Sequence, residues 1–224
     1  MSRQIKIDKS KTNQSVLWKL EQKWIAWAVP KVPNFLNGRN LTWATALWAV
    51  LMILFGYLTR YNKHWIWGVS AAIVAQYITD SLDGAVGRYR NSGWVNWGHY
   101  VDHLLDFIFL CSVVISYALI LPDQILMLLI LLALFGSHYA STFLHFSFSH
   151  KFRMAASGIG MNELKIGLII MNGSIIVFGT GFVENVLMIL SALALLTLLI
   201  VIYFAQKEAS RIDRQCKKER SFCN

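Results

Sequence analysis

The chain has 224 residues, 56% of them hydrophobic and only 15% charged, with a formal net charge of +9. Average soluble domains carry about 25% charged residues, so this composition excludes an ordinary soluble domain and points to a single membrane domain. The cysteines offer no disulfide framework and no zinc spacing: Cys111 lies in an apolar run, and Cys216 and Cys223 in a basic tail.

In chain order, residues 1–14 are polar and basic without periodicity and are expected to be disordered. Residues 15–33 read as an amphipathic juxtamembrane helix, with Ser15 as a cap and Pro30 and Pro33 as the stop. Leu17, Leu20, Trp24 and Trp27 share one face, with Lys19, Gln22 and Lys23 displaced from it. Tryptophan with lysine suits the headgroup region, so the helix is expected to lie on the cytoplasmic surface. Packing of the same face on the protein's own bundle is the alternative.

A run of about 18 or more apolar residues reads as a membrane-spanning helix. Such runs lie at roughly 41–59, 64–86, 98–121, 124–148, 163–182 and 185–205. The expected fold is therefore an all-α integral membrane protein. Six transmembrane helices fill residues 34–206, behind an N-terminal amphipathic interfacial helix and ahead of a basic cytoplasmic tail over 207–224.

Positive charge collects in the N-terminal arm, in the tail, in the loop with Arg88 and Arg90, and in the loop with Lys151 and Arg153. An even number of spans puts all of these on one side, and the positive-inside rule makes that side cytoplasmic. Arg60 and Lys63 are the exceptions, in a short loop on the opposite side. Basic juxtamembrane segments also attract anionic membrane lipids. Nucleic acid is not expected as a partner, because topology already explains the charge.

Against this background Asp80, Asp83, Asp102 and Asp106 stand out, a third of the chain's 12 acidic residues in one short segment. An aspartate in a membrane helix costs roughly 2.5–3.5 kcal/mol on insertion scales, and persists where it faces a cavity, a partner or a cation. Asp80, Asp83, Gly84 and Gly87 fall on one helix stripe, and Gly98, Asp102 and Asp106 on a second. A tight loop between the two helices makes them antiparallel neighbours, so that the stripes can face each other. Clustered carboxylates need cations. Mg²⁺ or Mn²⁺ suits oxygen ligands shared with a diphosphate, and two such ions balance four carboxylates. Glycine lets a flat or bulky ligand approach the helix backbone, although in membrane helices it also serves close packing.

The pattern D-x2-D-G-x2-G-R-x9-G-x3-D-x3-D over residues 80–106 closely resembles the signature of the CDP-alcohol phosphatidyltransferase family. The position that is usually alanine is Gly87. The resemblance implies transfer of a substituted phosphoryl group from a CDP-linked donor to an alcohol or lipid acceptor, with release of CMP, in phospholipid biosynthesis. It implies that Asp80, Asp83, Asp102 and Asp106 hold divalent metal, with Asp106 also the catalytic general base. It implies that Gly84, Gly87, Arg88 and Gly98 form the nucleotide site. A homodimer is implied on the same ground alone; a bacterial inner membrane is the expected location, and the span count with the positive-inside charge puts both termini and the active site on its cytoplasmic side.

Two donor classes exist in such a family, CDP-diacylglycerol and CDP-choline or CDP-ethanolamine. The stretch FRMAASGIGMNELKIG, residues 152–167, resembles one often seen as G-P-T-E plus a basic residue in a bacterial subgroup, with Gly160, Glu163 and Lys165 fitting and Met161 and Asn162 departing. Arg153, Glu163 and Lys165 are therefore candidates for the substrate pocket, with Asn162 as a helix cap. Positive-inside charge, a helix dipole and snorkelling explain the same three residues without a substrate. Before the first span, GRNLT at 38–42 resembles the family's P-N-x-L-T, with Arg39 in the asparagine position. His138 and His145 share a helix face, and His99 and His103 flank the third-span aspartates; hydrogen bonding within the bundle is the expected role for most of them, with His103 near enough to Asp102 to tune it.

Two rival readings use the same aspartates. A prenyltransferase-like enzyme also binds a diphosphate through aspartates and Mg²⁺, but with two motifs far apart in sequence. A cation-binding membrane transporter explains the carboxylates but not glycines in phase with them, and transport sites lie near the bilayer midplane.

Overall fold

The computed structural model describes residues 18–149 and 161–222, with side chains described over 21–149, 164–217. The expectations placed on disorder of 1–14, on Ser15, on Leu17 and on Arg153 lie outside the described residues, as do the side chains of Leu20 and Glu163.

Seven helices follow in order: α1 Trp18–Ala28, α2 Gly38–Leu58, α3 Ile66–Tyr89, α4 Val95–Ile120, α5 Ile125–Ser149, α6 Met161–Phe178 and α7 Val183–Phe222. No strand occurs among the described residues. Short 3₁₀ turns at Val29–Lys31, Lys63–Trp65 and Pro122–Gln124 join some of them, two of these turns carrying proline at the first or second position, where its missing N–H costs nothing.

Every apolar run becomes a helix, but among the described residues only α2, α4, α5 and α7 are both long and apolar enough to cross a membrane. In α3 the polar side chains Gln76, Asp80, Asp83 and Arg88 dilute a 24-residue helix. In α6 the apolar part is shorter, Leu164–Phe178. Asn162, expected as a cap, lies inside the first turn of α6. Only 11% of the apolar window of α5 and 17% of that of α7 is buried. Their outward leucines and isoleucines, such as Leu126, Leu129, Leu196 and Leu199, are about half exposed or more. Such all-round apolarity suits a hydrocarbon solvent rather than water.

The core forms where α2 packs along both α3 and α4. Met52, Val69, Ile73, Val113 and Tyr117 fill it, with Leu128, Leu131, Val183 and Leu187 closing it from α5 and α7. Gly56 permits the α2–α4 crossing, since a Cβ there would sit 2.8 Å from Ser116 Cα. Gly38 does the same for α2 against α3: its Cβ would meet Asp83 O at 2.9 Å and Gly87 Cα at 3.4 Å. The tight loop expected to make α3 and α4 close neighbours does not do so, for they touch at few positions and α2 buttresses both. A polar node ties α6 to the others. Asn172 donates to Ser70 Oγ at 2.9 Å and accepts from the Tyr117 hydroxyl at 2.6 Å, with both Asn172 and Tyr117 buried.

Two terminal expectations change. The residues of 207–222, expected as a separate tail, continue α7 as one 40-residue helix. The run AQKEASRIDRQCKKERSF contains helix formers and neither glycine nor proline, so nothing stops it. At 1.5 Å per residue α7 is about 60 Å long, roughly twice a hydrocarbon core. The buried side here is Ile25 of α1 and Val29 of the turn that follows it, set against Leu41, Leu82, Ala85 and Val86 at the ends of α2 and α3. Trp27, expected on the buried face, is 62% exposed, with the Lys31 ammonium 3.4 Å over its ring.

Candidate active site

The end of α3 carries Asp80 and Asp83, and the first turns of α4 carry Gly98, Asp102 and Asp106. The α3 helix stops in a Schellman turn: Ser92 N–H reaches Gly87 O at 3.0 Å and Asn91 N–H reaches Arg88 O at 3.3 Å, with Asn91 at φ 50°. Asparagine is the commonest substitute for glycine at such a left-handed position. The turn reverses the chain within a few residues and brings the two acidic stripes to one end of the bundle.

There they converge. Asp106 lies within electrostatic reach of Asp80, Asp102 and Asp83, and Asp83 within reach of Asp80. Asp102, His103 and Asp106 can each point a ligand atom so that all lie within 4.8 Å of one another. Like charges this close in a low-dielectric setting repel strongly unless cations or donors intervene.

Donors do intervene, from α2, from α3 itself and from α6. Asp83, only 8% exposed, accepts from Thr42 Oγ1 at 2.7 Å and from the Gly84 N–H. Gln76, one turn before Asp80 and fully buried, donates to Asp106 Oδ1 at 3.4 Å. The Lys165 ammonium on α6 forms an ion pair with Asp80 Oδ2 at 3.5 Å and stands 5.7 Å from the centre of the Tyr77 ring. Tyr139 on α5 also lies within electrostatic reach of Asp106, Asp80 and Asp102. Of the residues assigned to a substrate pocket, Lys165 alone has a described side chain, and it reaches the acidic cluster.

The glycines divide by role. A Cβ on Gly98 would meet nothing within 4 Å, and one on Gly84 would meet only the Arg88 guanidinium, at 3.2 Å. Among the described residues no other helix comes within 4 Å of either Cβ position, so close packing does not explain them. Gly87 instead backs onto Gly38, and a Cβ on it would meet only Ser92 Oγ, at 3.4 Å. The alanine usual at that position therefore has room here. Arg88 folds back over Gly84, within reach of Asp83.

Sequence reasoning gave no site or packing role to Thr42, Gln76 or Arg90. Gln76 was findable, because it extends the Asp80 stripe one turn toward the N-terminus. Arg90, read as topological charge, donates to Leu36 O at 2.8 Å, Val32 O at 2.6 Å and Pro33 O at 3.2 Å. It thus fixes the strap between α1 and α2. Arg39 stands 5.0 and 5.2 Å from the ring centres of Trp94 and Trp97, linking the starts of α2 and α4. The bundle role expected of most histidines is seen at His138, 3.1 Å from Ala194 O, and at His145, 3.0 Å from Glu208 Oε2. His99 and His103 stack edge to face beside the acids.

No curated protein and no solved structure matches the chain. The family model described as CDP-alcohol phosphatidyltransferase matches residues 31–204, from the strap before α2 to the apolar end of α7. The matched span takes in both acidic stripes, both open glycines, Thr42 and Lys165. The chain belongs to the CDP-alcohol phosphatidyltransferase family, membrane transferases of phospholipid synthesis that move a phosphoryl group from a CDP-alcohol.

Proposed function

We propose that the protein transfers a substituted phosphoryl group from a CDP-linked donor to an alcohol acceptor and releases CMP, with Mg²⁺ or Mn²⁺ as cofactor. The observation that carries this reading is the convergence of Asp80, Asp83, Asp102 and Asp106 beside Gly84 and Gly98, two glycines whose Cβ positions no other helix approaches within 4 Å among the described residues. The oxygen ligands that the four carboxylates offer fit a hard divalent cation shared with a diphosphate. Asp80, Asp83 and Asp102 would hold such an ion, and Asp106 would join a second position. When bound, the metal supplies neutralisation of the diphosphate and of the charge that develops on the leaving oxygen.

The rest falls to the chain. The open helix backbones at Gly84 and Gly98 admit the cytidine, with Gly87 behind them and Arg88 beside a phosphate. Asp106 takes the proton from the acceptor hydroxyl as that oxygen bonds to phosphorus and the bond to the CMP oxygen breaks. Gln76 keeps Asp106 aimed, and Thr42 keeps Asp83 aimed. Lys165 lines the substrate pocket, together with Arg153 and Glu163 in the segment before it.

In this reading α2 to α7 all span the membrane, α3 and α6 because their polar residues face the site and one another rather than lipid. Both termini and the site lie on the cytoplasmic side, in a bacterial inner membrane, and the chain works as a homodimer. A cation transporter or a prenyltransferase would not account for a match to this family over residues 31–204.

The donor class is decided by CMP release from the purified protein in mixed micelles with Mn²⁺. One arm supplies CDP-choline or CDP-ethanolamine with diacylglycerol. The other supplies CDP-diacylglycerol with a panel of polar alcohols. Metal-dependent release in one arm identifies the donor; none in either, with folded protein, rejects the reading.

A further inference from the structure

Lys165 is the one cation that an element other than α3 and α4 is seen to deliver to an acidic residue of the site among the described residues. Its side chain is 14% exposed and that of Asp80 24%, so water screens the pair only in part. The same ammonium also acts electrostatically on Asp106. Its placement is fixed. Asn172 lies seven residues further along α6, on the same helix face, and is anchored to Ser70 on α3 and Tyr117 on α4. Those bonds set the rotation and height of α6, and so the reach of Lys165.

We infer that Lys165 is a resident counter-ion that competes with the divalent cation for Asp80, and that it passes to the anionic phosphates of the donor when metal and donor bind together. This rests on the reading of the four aspartates as a metal site. The argument is one of charge. A carboxylate oxygen cannot keep an ammonium at 3.5 Å and also take a divalent cation at 2.0–2.1 Å without the two cations repelling each other. A lysine stem is long and flexible, and its ammonium is a point charge that a phosphate accepts as readily as a carboxylate. The exchange keeps the site near neutral at each stage: the lysine offsets acid before loading, and offsets diphosphate after it. Metal binding is thereby weak alone and strong with nucleotide. Lys165 is in this sense a positioning residue.

The test is Mn²⁺ binding, read as loss of the free Mn²⁺ electron-spin signal, for wild type, Lys165→Met, Lys165→Gln and Lys165→Arg, each with and without CDP. An opposite charge within about 4–6 Å commonly shifts a carboxylate's proton affinity by tenfold or more, and the same field acts on a metal ion. Without CDP, Lys165→Met and Lys165→Gln are expected to bind Mn²⁺ about tenfold tighter than wild type. With CDP, the wild type is expected to gain more affinity than either neutral variant, and Lys165→Arg to follow the wild type. The glutamine variant keeps a polar end should the methionine variant fold poorly. Neutral variants that bind Mn²⁺ no tighter than a wild type that does bind it overturn the counter-ion role alone. A wild type that binds no Mn²⁺, with or without CDP, overturns the metal site on which the role rests.

Discussion

Thr42 Oγ1, at the start of α2, donates to Asp83 Oδ2 near the end of α3 at 2.7 Å, across 41 residues of sequence. The bond is buried and, with the Gly84 N–H on the other oxygen, fixes the orientation of the Asp83 carboxylate. Residues that orient a metal ligand typically contribute 10–100-fold to metal affinity. Thr42→Val is expected to raise the Mn²⁺ concentration for half-maximal CMP release by roughly that factor. Thr42→Ser, which keeps the hydroxyl, is expected to stay near wild type.

Gly98 and Gly56 separate room for a ligand from room for a helix. Gly98 has nothing within 4 Å of a Cβ, whereas Gly56 is pressed against Ser116. Gly98→Leu is expected to leave the melting temperature nearly unchanged while lowering kcat/KM for the CDP donor at least tenfold, on the order of 1.4 kcal/mol. Gly56→Leu is expected to destabilise the fold by about 1–3 kcal/mol or more, as overpacking does. Thermal unfolding in detergent and donor kinetics, measured on both variants, check the division.

The node at Asn172 is a stability prediction. Hydrogen bonds between membrane helices average about 0.6 kcal/mol and reach about 1.7 kcal/mol. Tyr117→Phe removes the bond to Asn172 together with a longer 3.4 Å contact to Leu168 O and is expected to cost about 0.6 kcal/mol. Asn172→Leu also strips Ser70 of a donor and is expected to cost about 1–3 kcal/mol. Denaturant unfolding in micelles measures both.

Arg90 makes a prediction about order rather than chemistry. Its guanidinium holds the carbonyls of Val32, Pro33 and Leu36. Arg90→Ala frees the strap, so tryptic cleavage after Lys31 is expected to accelerate severalfold. Arg90→Lys should not restore protection, because an ammonium lacks the fork that meets several carbonyls at once.

What the sequence made legible was local. Helical spacing alone puts Asp80 with Asp83 and Asp102 with Asp106, and apolar length alone locates each helix of the bundle. What stayed hidden was pairing across the fold. Lys165 and Asp80 are 85 residues apart, and no periodicity links them. The same holds for Thr42 with Asp83, although Thr42 lies in the GRNLT stretch that resembles a family motif. Gly38 and Gly56 look like any membrane glycine until α2 is found between α3 and α4. The charged end of α7 reads as a tail because charge suggests solvent, yet charge and helix coexist when helix formers run on without a break. On α1 the tryptophans draw the eye, whereas Ile25 and Val29 have the shape that fits between helix ends.

The central claim is that Asp106 acts as a base in a metal-dependent transfer from a CDP-alcohol. The direct measurement is CMP release by wild type and by Asp106→Asn, matched for melting temperature, at saturating Mn²⁺ and donor and again after chelation. The expected result is release by the wild type that chelation abolishes, and a loss of roughly 10²–10⁴-fold in the variant, the usual worth of a positioned general base. Equal turnover by the two proteins, or wild-type turnover that survives chelation, would contradict it.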